Sequence, residues 1–157
     1  MSIQIANIDI DLSTEGLNRA IAEIQLLAEK LQPAMTQLIE ELVKQGIDIA
    51  KAELFAFDNP AFDTGALHDS INGGMLDSDT GVVTTGVMYA VYVEYGTGFY
   101  ASNGSGNQNG WVYYDTRLGK FRHTWGMAPR PFMYNTFRSL ERYAEDNGGR
   151  LLAQYLS

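Results

Sequence analysis

His68-Asp69-Ser70 sets an imidazole, a carboxylate and a hydroxyl in consecutive positions, the residue types of a hydrolytic triad. Neighbouring side chains point apart on a strand and lie about 100° apart on a helix, so these three cannot converge on one reacting atom. They read instead as solvated residues after a turn. His68 and His123 are the only histidines, and with Asp63 they would give a zinc donor set. No H-x-x-x-H or H-E-x-x-H spacing supports that set, and His123, between Arg122 and Thr124, reads as a surface or cross-strand residue. The glycine-rich "GSGNQNG" (104–110) neither follows a strand nor opens a helix and has no lysine, which argues against a phosphate cradle. Asn103-Gly104-Ser105 fits a glycosylation acceptor, a pattern with meaning only on a secreted chain. That leaves Glu94, the one acid of "YAVYVEYGTG" (89–98). A carboxylate among tyrosines could serve a reaction, since burial raises its pKa. A buried acid paired with an arginine is the commoner arrangement, and Arg130 is the lone charge in the apolar block "APRPF" (128–132). We therefore expect Glu94 to meet Arg130. No constellation here indicates an enzyme, and none implies a cofactor or a metal.

Composition narrows the classes further. The chain has 157 residues, 45% hydrophobic and 19% charged, which fits one folded domain spanning 1–157. A chain of that length buries roughly 70% of its unfolded surface. No apolar run approaches the ~18 residues of a membrane helix. The start, "MSIQIANIDIDL", has no basic region and carries two aspartates, so it is not expected to be a signal peptide. The absence of cysteine excludes disulfides and thiolate zinc sites and fits synthesis inside a cell. A net charge of -8 disfavours gripping phosphate backbones, although an acidic wall suits a place where DNA must slide past.

The elements that must carry these residues follow from periodicity. Residues 3–12 alternate apolar and polar and predict a strand or extended arm. Ser13 or Thr14 can cap a helix carrying Leu17, Ala20, Ile21, Ile24, Leu27 and Leu31 at helical spacing. Pro33 reads as a kink or as the first turn of a second helix, which continues to Leu54. "FDNPAFDTGAL" (57–67) is a break. Residues 71–76 and 82–87 then flank a hairpin turn, "DSDTG" (77–81). Residues 89–95 fit either a strand or a short helix, and the glycine directly after them argues for the helix. Residues 99–110 predict a mobile loop, 111–125 an inserted hairpin, and Pro131 the start of a last helix that Gly148-Gly149 ends. Helices, then hairpins, then a helix predict an α+β fold: a long N-terminal helical region, a small antiparallel sheet and a C-terminal helix packed on it. Most of the nine tyrosines, seven phenylalanines and two tryptophans cluster between 89 and 143, a composition that suits a core or a protein interface.

Three blocks carry a family resemblance. "FDTGALHDSI" resembles the "P-x-x-T-G-x-L-r-x-S-I" turn of the small tail-completion (neck) proteins of long-tailed bacteriophages. "YAVYVEYGTG" resembles their "Y-A-x-x-v-E-f-G-T" segment, and "APRPF" their "a-r-P-F" before the last helix. The blocks keep the family's order and, with their flanking helices, span residues 35–145. The family's marked positions fall on Thr64, Gly65, Leu67, Ser70, Ile71, Tyr89, Ala90, Glu94, Gly96, Thr97, Arg130, Pro131 and Phe132. His68 replaces the usual basic residue after the leucine, and the N-terminal strand and the 99–125 insertion are particular to this chain. The resemblance implies a minor virion structural protein at the head–tail junction or tail end, made in the host cytoplasm. Its partners would be other neck or tail proteins and copies of itself in a ring, a hexamer by preference, from subunits that are monomeric when free. DNA would pass nearby without specific binding, and no membrane would be involved. The readings from other classes are a small hydrolase using Glu94, Asp63 or a histidine, and a tyrosine-rich module that binds a sugar or peptide.

Overall fold

The computed structural model describes residues 13–57 and 65–156. The expected N-terminal arm, Asp63 and Thr64 lie outside the described residues. The fold is α+β, with the order α1 (Thr14–Glu53), α2 (Ala66–Ser70), β1 (Ile71–Met75), β2 (Gly81–Thr85), α3 (Ala90–Tyr95), β3 (Trp111–Asp115), β4 (Lys120–Thr124) and α4 (Phe132–Leu156). The strands form two separate two-stranded sheets, β1–β2 and β3–β4, rather than one. Among the described residues no helix is long and apolar enough to cross a membrane.

α1 starts where the sequence offers a cap. The Ser13 hydroxyl accepts the Gly16 N–H at 3.0 Å, while its carbonyl accepts the Leu17 N–H at 2.9 Å. The helix then runs through Pro33 without a break. A proline there removes one ladder bond, a loss of ~3 kcal/mol in a free helix. Tertiary bonds brace the helix on both sides of it: Gln32 Nε2 donates to the Asp79 carboxylate, and Thr36 Oγ1 donates to the Ser78 carbonyl at 2.9 Å. α4 likewise overrides a stop signal, continuing through Gly148-Gly149 where an end was expected. Glycine in a helix interior costs about 1 kcal/mol against alanine. Leu151, just beyond the pair, is buried, and its packing favours keeping the last turns helical.

The chain divides into two compact units: Met1–Gln45, Gly73–Val82 and Leu140–Ser157 make one, Gly46–Asn72 and Val83–Ser139 the other. In the first, the β1–β2 turn is closed by the Leu76 N–H on the Thr80 carbonyl at 2.8 Å. Gly81 follows, and a Cβ there would come within 2.4 Å of Val43 Cγ2. In the second unit Ala50, Leu54, Leu67, Ile71, Ala90, Val93 and Phe132 form the core. Phe132, at 0% exposure, packs the first turn of α4 against the β1–β2 sheet and α3. Burying such a ring contributes roughly 1.5–3 kcal/mol.

Candidate functional site

α3 forms as the glycine signal predicted, and Gly96 follows it at φ 77. With ψ at -177 the chain leaves the helix in an extended, positive-φ conformation that only glycine takes without strain. A side chain there would also collide with backbone, since its Cβ would lie 2.6 Å from the Met127 carbonyl oxygen. The next residues run against 125–127. Thr97 donates its N–H to the Met127 carbonyl at 2.8 Å, and Met127 returns its N–H to the Thr97 hydroxyl at 2.9 Å and carbonyl at 3.3 Å. Phe99 donates to the Trp125 carbonyl at 2.7 Å, and Arg130 donates its N–H to the Val93 carbonyl at 2.8 Å. Gly98 and Gly126 allow this approach: a Cβ on Gly126 would sit 2.0 Å from the Thr97 oxygen, and one on Gly98 2.2 Å from the Trp125 oxygen. The two chain segments are thus clasped backbone to backbone.

Glu94 completes the clasp, but not through Arg130. Its Oε2 accepts the Met133 N–H at 2.9 Å and its Oε1 accepts the Tyr134 N–H at 3.0 Å. The Arg130 guanidinium instead reaches the Met127 sulfur at 3.3 Å. The reason lies in the start of α4. Its N-cap position holds Pro131, whose carbonyl accepts the Asn135 N–H at 2.9 Å but whose ring offers no acceptor to the next amides. The Phe132 N–H turns back to the Arg130 carbonyl, leaving Met133 and Tyr134 to a carboxylate from another helix. A negative group at a helix start also meets the positive end of its dipole. Glu94 lines an open hollow of about 470 Å³ with Thr85, Tyr95 and Tyr134, yet both its oxygens are taken by amides.

The first block joins the same unit through its apolar members. Gly65 precedes α2 at φ 83, and Leu67 and Ile71 enter the core beside Ala90, Val93 and Phe132. Ser70 is engaged in a relay: the Val87 N–H donates to Thr85 Oγ1, which donates to Ser70 Oγ, which donates to the Leu67 carbonyl. His68 Nδ1 lies 2.9 Å from Asp69 Oδ1, and its ring meets Phe55 edge-on. No Ser70–His68 couple forms. His123 sits on β4 with its ring edge-on to Trp125 at 4.9 Å. Among the described residues no group of three or more His, Cys, Asp or Glu could hold a metal ion.

What this scaffold presents to solvent is aromatic. Tyr89, Tyr92 and Tyr95 of the α3 segment are exposed, Tyr92 at 58%. The β3–β4 hairpin, in register from Trp111↔Thr124 to Asp115↔Lys120, exposes both faces, with Phe121 at 74%. Between α3 and the hairpin runs a groove of about 620 Å³ lined by Tyr92, Thr97, Asn103, Asn107 and Trp111. The 101–110 segment beside it is a run of turns, tied to the end of α3 by the Ser102 N–H on the Tyr95 carbonyl at 2.8 Å. Gly126 and Met127 are the residues that sequence reasoning did not single out; a glycine ahead of the Ala-Pro step was the available signal. No protein-family model, curated protein or solved structure matches this chain.

Proposed function

We propose that this chain is a non-enzymatic structural subunit of a tailed-phage virion. It completes the tail or joins it to the head, through contacts with neck or tail proteins and with copies of itself in a ring. The observation that carries the reading is the exposed aromatic surface of α3 and the β3–β4 hairpin, held in place by the Thr97–Met127 clasp. Large contiguous apolar surface is rare on a free monomer and marks a contact site. A two-stranded hairpin is also marginal alone, so a partner covering both its faces would stabilise it. The three blocks that resemble the phage family meet in this one unit, which supports the family reading. Glu94 works there as a helix cap, a structural duty that leaves a hydrolase without its best carboxylate. An acidic ring would let DNA pass unheld.

The test is electron microscopy of particles assembled without the chain, with Phe121→Ser and Tyr92→Ser as surface variants. Unjoined full heads and tails, or tails with defective ends, are expected. The two variants should fold normally and fail to join particles. Complete infectious particles formed without the chain would overturn the proposal. Turnover of a substrate that disappears with Glu94→Gln, with particle assembly unaffected, would favour the hydrolase instead.

A further inference from the structure

The N-terminal half of α1 carries a second contact surface, distinct from the aromatic one. Leu17, Ile21, Ile24, Ala28, Leu31 and Met35 are spaced 4, 3, 4, 3 and 4 apart, and all six are exposed. That alternation of four and three is the a/d spacing of a coiled coil. Of the large apolar residues exposed between Thr14 and Leu38, only Leu26 lies off this seam. The open part covers 17–35, about 28 Å of helix at 1.5 Å per residue.

The charges indicate what covers it. Every charged residue between Thr14 and Leu38 (Glu15, Arg19, Glu23, Glu29 and Lys30) falls at b, c or f, away from the seam. The flanking e and g positions are Asn18, Ala20, Gln25, Leu27, Gln32 and Ala34, none of them charged. A helix that must choose a foreign partner uses e and g charges to do so. Here there is no such code. Ala20 and Ala34 at g are buried within the subunit, so the open flank is the e side, Asn18, Gln25 and Gln32, and this uncharged flank is where two copies of a chain with net charge -8 can meet. Pro33 falls at f, on the outer side, where it leaves the seam undisturbed. The alternating residues of 3–12 have strand spacing, which does not match a heptad groove.

We infer that α1 pairs through the Leu17–Met35 seam with α1 of a second copy of this chain, helix against helix. The seam is short and includes Ala28, so the pairing depends on concentration and is favoured when copies are gathered in an assembly. The inference does not rest on the virion reading, because it uses another surface.

The experiment is sedimentation equilibrium of the full-length protein from low to high micromolar concentration, on Phe121→Ser as background so that aromatic contacts do not contribute. The mass should rise from 17.4 kDa toward a multiple of it. Ile24→Glu should weaken association tenfold or more, and Leu26→Glu, equally exposed but off the seam, should change it less than twofold. The cysteine-free chain allows a direct map. Ile24→Cys should cross-link copy to copy in a parallel pair, or to Ala28→Cys of another copy in an antiparallel one, while Glu23→Cys should not. A mass fixed at 17.4 kDa, equal effects of Ile24→Glu and Leu26→Glu, or an Ile8→Cys/Ile24→Cys variant that closes within one chain would each overturn the inference.

Discussion

Glu94 precedes Met133 by 39 residues, yet its Oε2 accepts the Met133 main-chain N–H at 2.9 Å. A helix whose own N-cap is proline has borrowed its cap from the helix across the core. The arrangement follows from two sequence choices. Pro131 fixes φ for helix entry and offers no side-chain acceptor, and Gly96 turns the chain sharply after Glu94 so that α3 stops with its acid beside α4.

The cap can be measured. Glu94→Ala strands two amide donors at the start of α4 and should destabilise by about 1–2 kcal/mol, the range for lost N-caps. In thermal unfolding that is a drop of roughly 2–8 °C for a chain of this size. Glu94→Gln keeps one acceptor and should fall between the two. Arg130→Gln removes a side-chain hydrogen bond that, among the described residues, goes to the Met127 sulfur, and should change stability by less than about 0.5 kcal/mol. Equal losses for Glu94→Gln and Arg130→Gln would instead indicate the ion pair expected from sequence.

The backbone clasp should be the least forgiving part of the fold. Gly126 has φ 108 and a Cβ there would overlap the Thr97 carbonyl oxygen at 2.0 Å. Backbone strain and overlap with another main chain add, so Gly126→Ala should cost at least about 3 kcal/mol, a large share of a typical domain's stability. Gly98→Ala should behave alike, for its Cβ would meet the Trp125 oxygen at 2.2 Å. Gly104→Ala is the control: φ is 72 but nothing lies within 4 Å, so only the left-handed penalty of about 1–2 kcal/mol applies. Chemical denaturation of the three variants separates the two terms.

Much of this was legible from local signals. The Ser13 cap, both hairpins, the helix at 90–95 and the glycine ending it are all decided by residues within a few positions of one another. Where the expectation failed, the deciding partner was distant. Pro33 stays inside one helix, braced by Ser78 and Asp79 from far along the chain, and Gly148-Gly149, expected to end α4, stays helical with Leu151 buried just beyond it. Glu94 and Arg130 were correctly placed at the same junction, but charge alone suggested they would bond to each other. The amide donors freed by a proline N-cap outcompeted the guanidinium, and backbone donors carry no signature in a list of side chains.

The β1–β2 turn should respond to acid. The Asp79 N–H on Asp77 Oδ1 at 2.8 Å, followed by the Thr80 hydroxyl, holds the Asp77 carboxyl below the usual carboxylate value of 3.8. A folded-state pKa below the unfolded one means that the charged form supports the turn above pH 3.8, and the support is lost as pH falls through the lower folded value. An NMR titration should therefore place the Asp77 midpoint below 3.8, with the Asp79 amide resonance moving over the same range. A midpoint at or above 3.8 would mean that the turn does not favour the ionised acid. The lost support falls where Ser78 and Asp79 bond to Thr36 and Gln32, so the brace across Pro33 should loosen in the same pH range.

Gly148 offers the opposite kind of change. It lies inside α4 with φ in the ordinary range, and a Cβ there would meet nothing within 4 Å. Alanine removes backbone freedom from the unfolded chain and adds no clash, so Gly148→Ala should stabilise by about 0.4–1 kcal/mol. The gain should appear as a higher unfolding midpoint with an unchanged denaturant slope, because no new surface is buried. If Gly148→Ala instead destabilises, α4 needs its glycine as a bend.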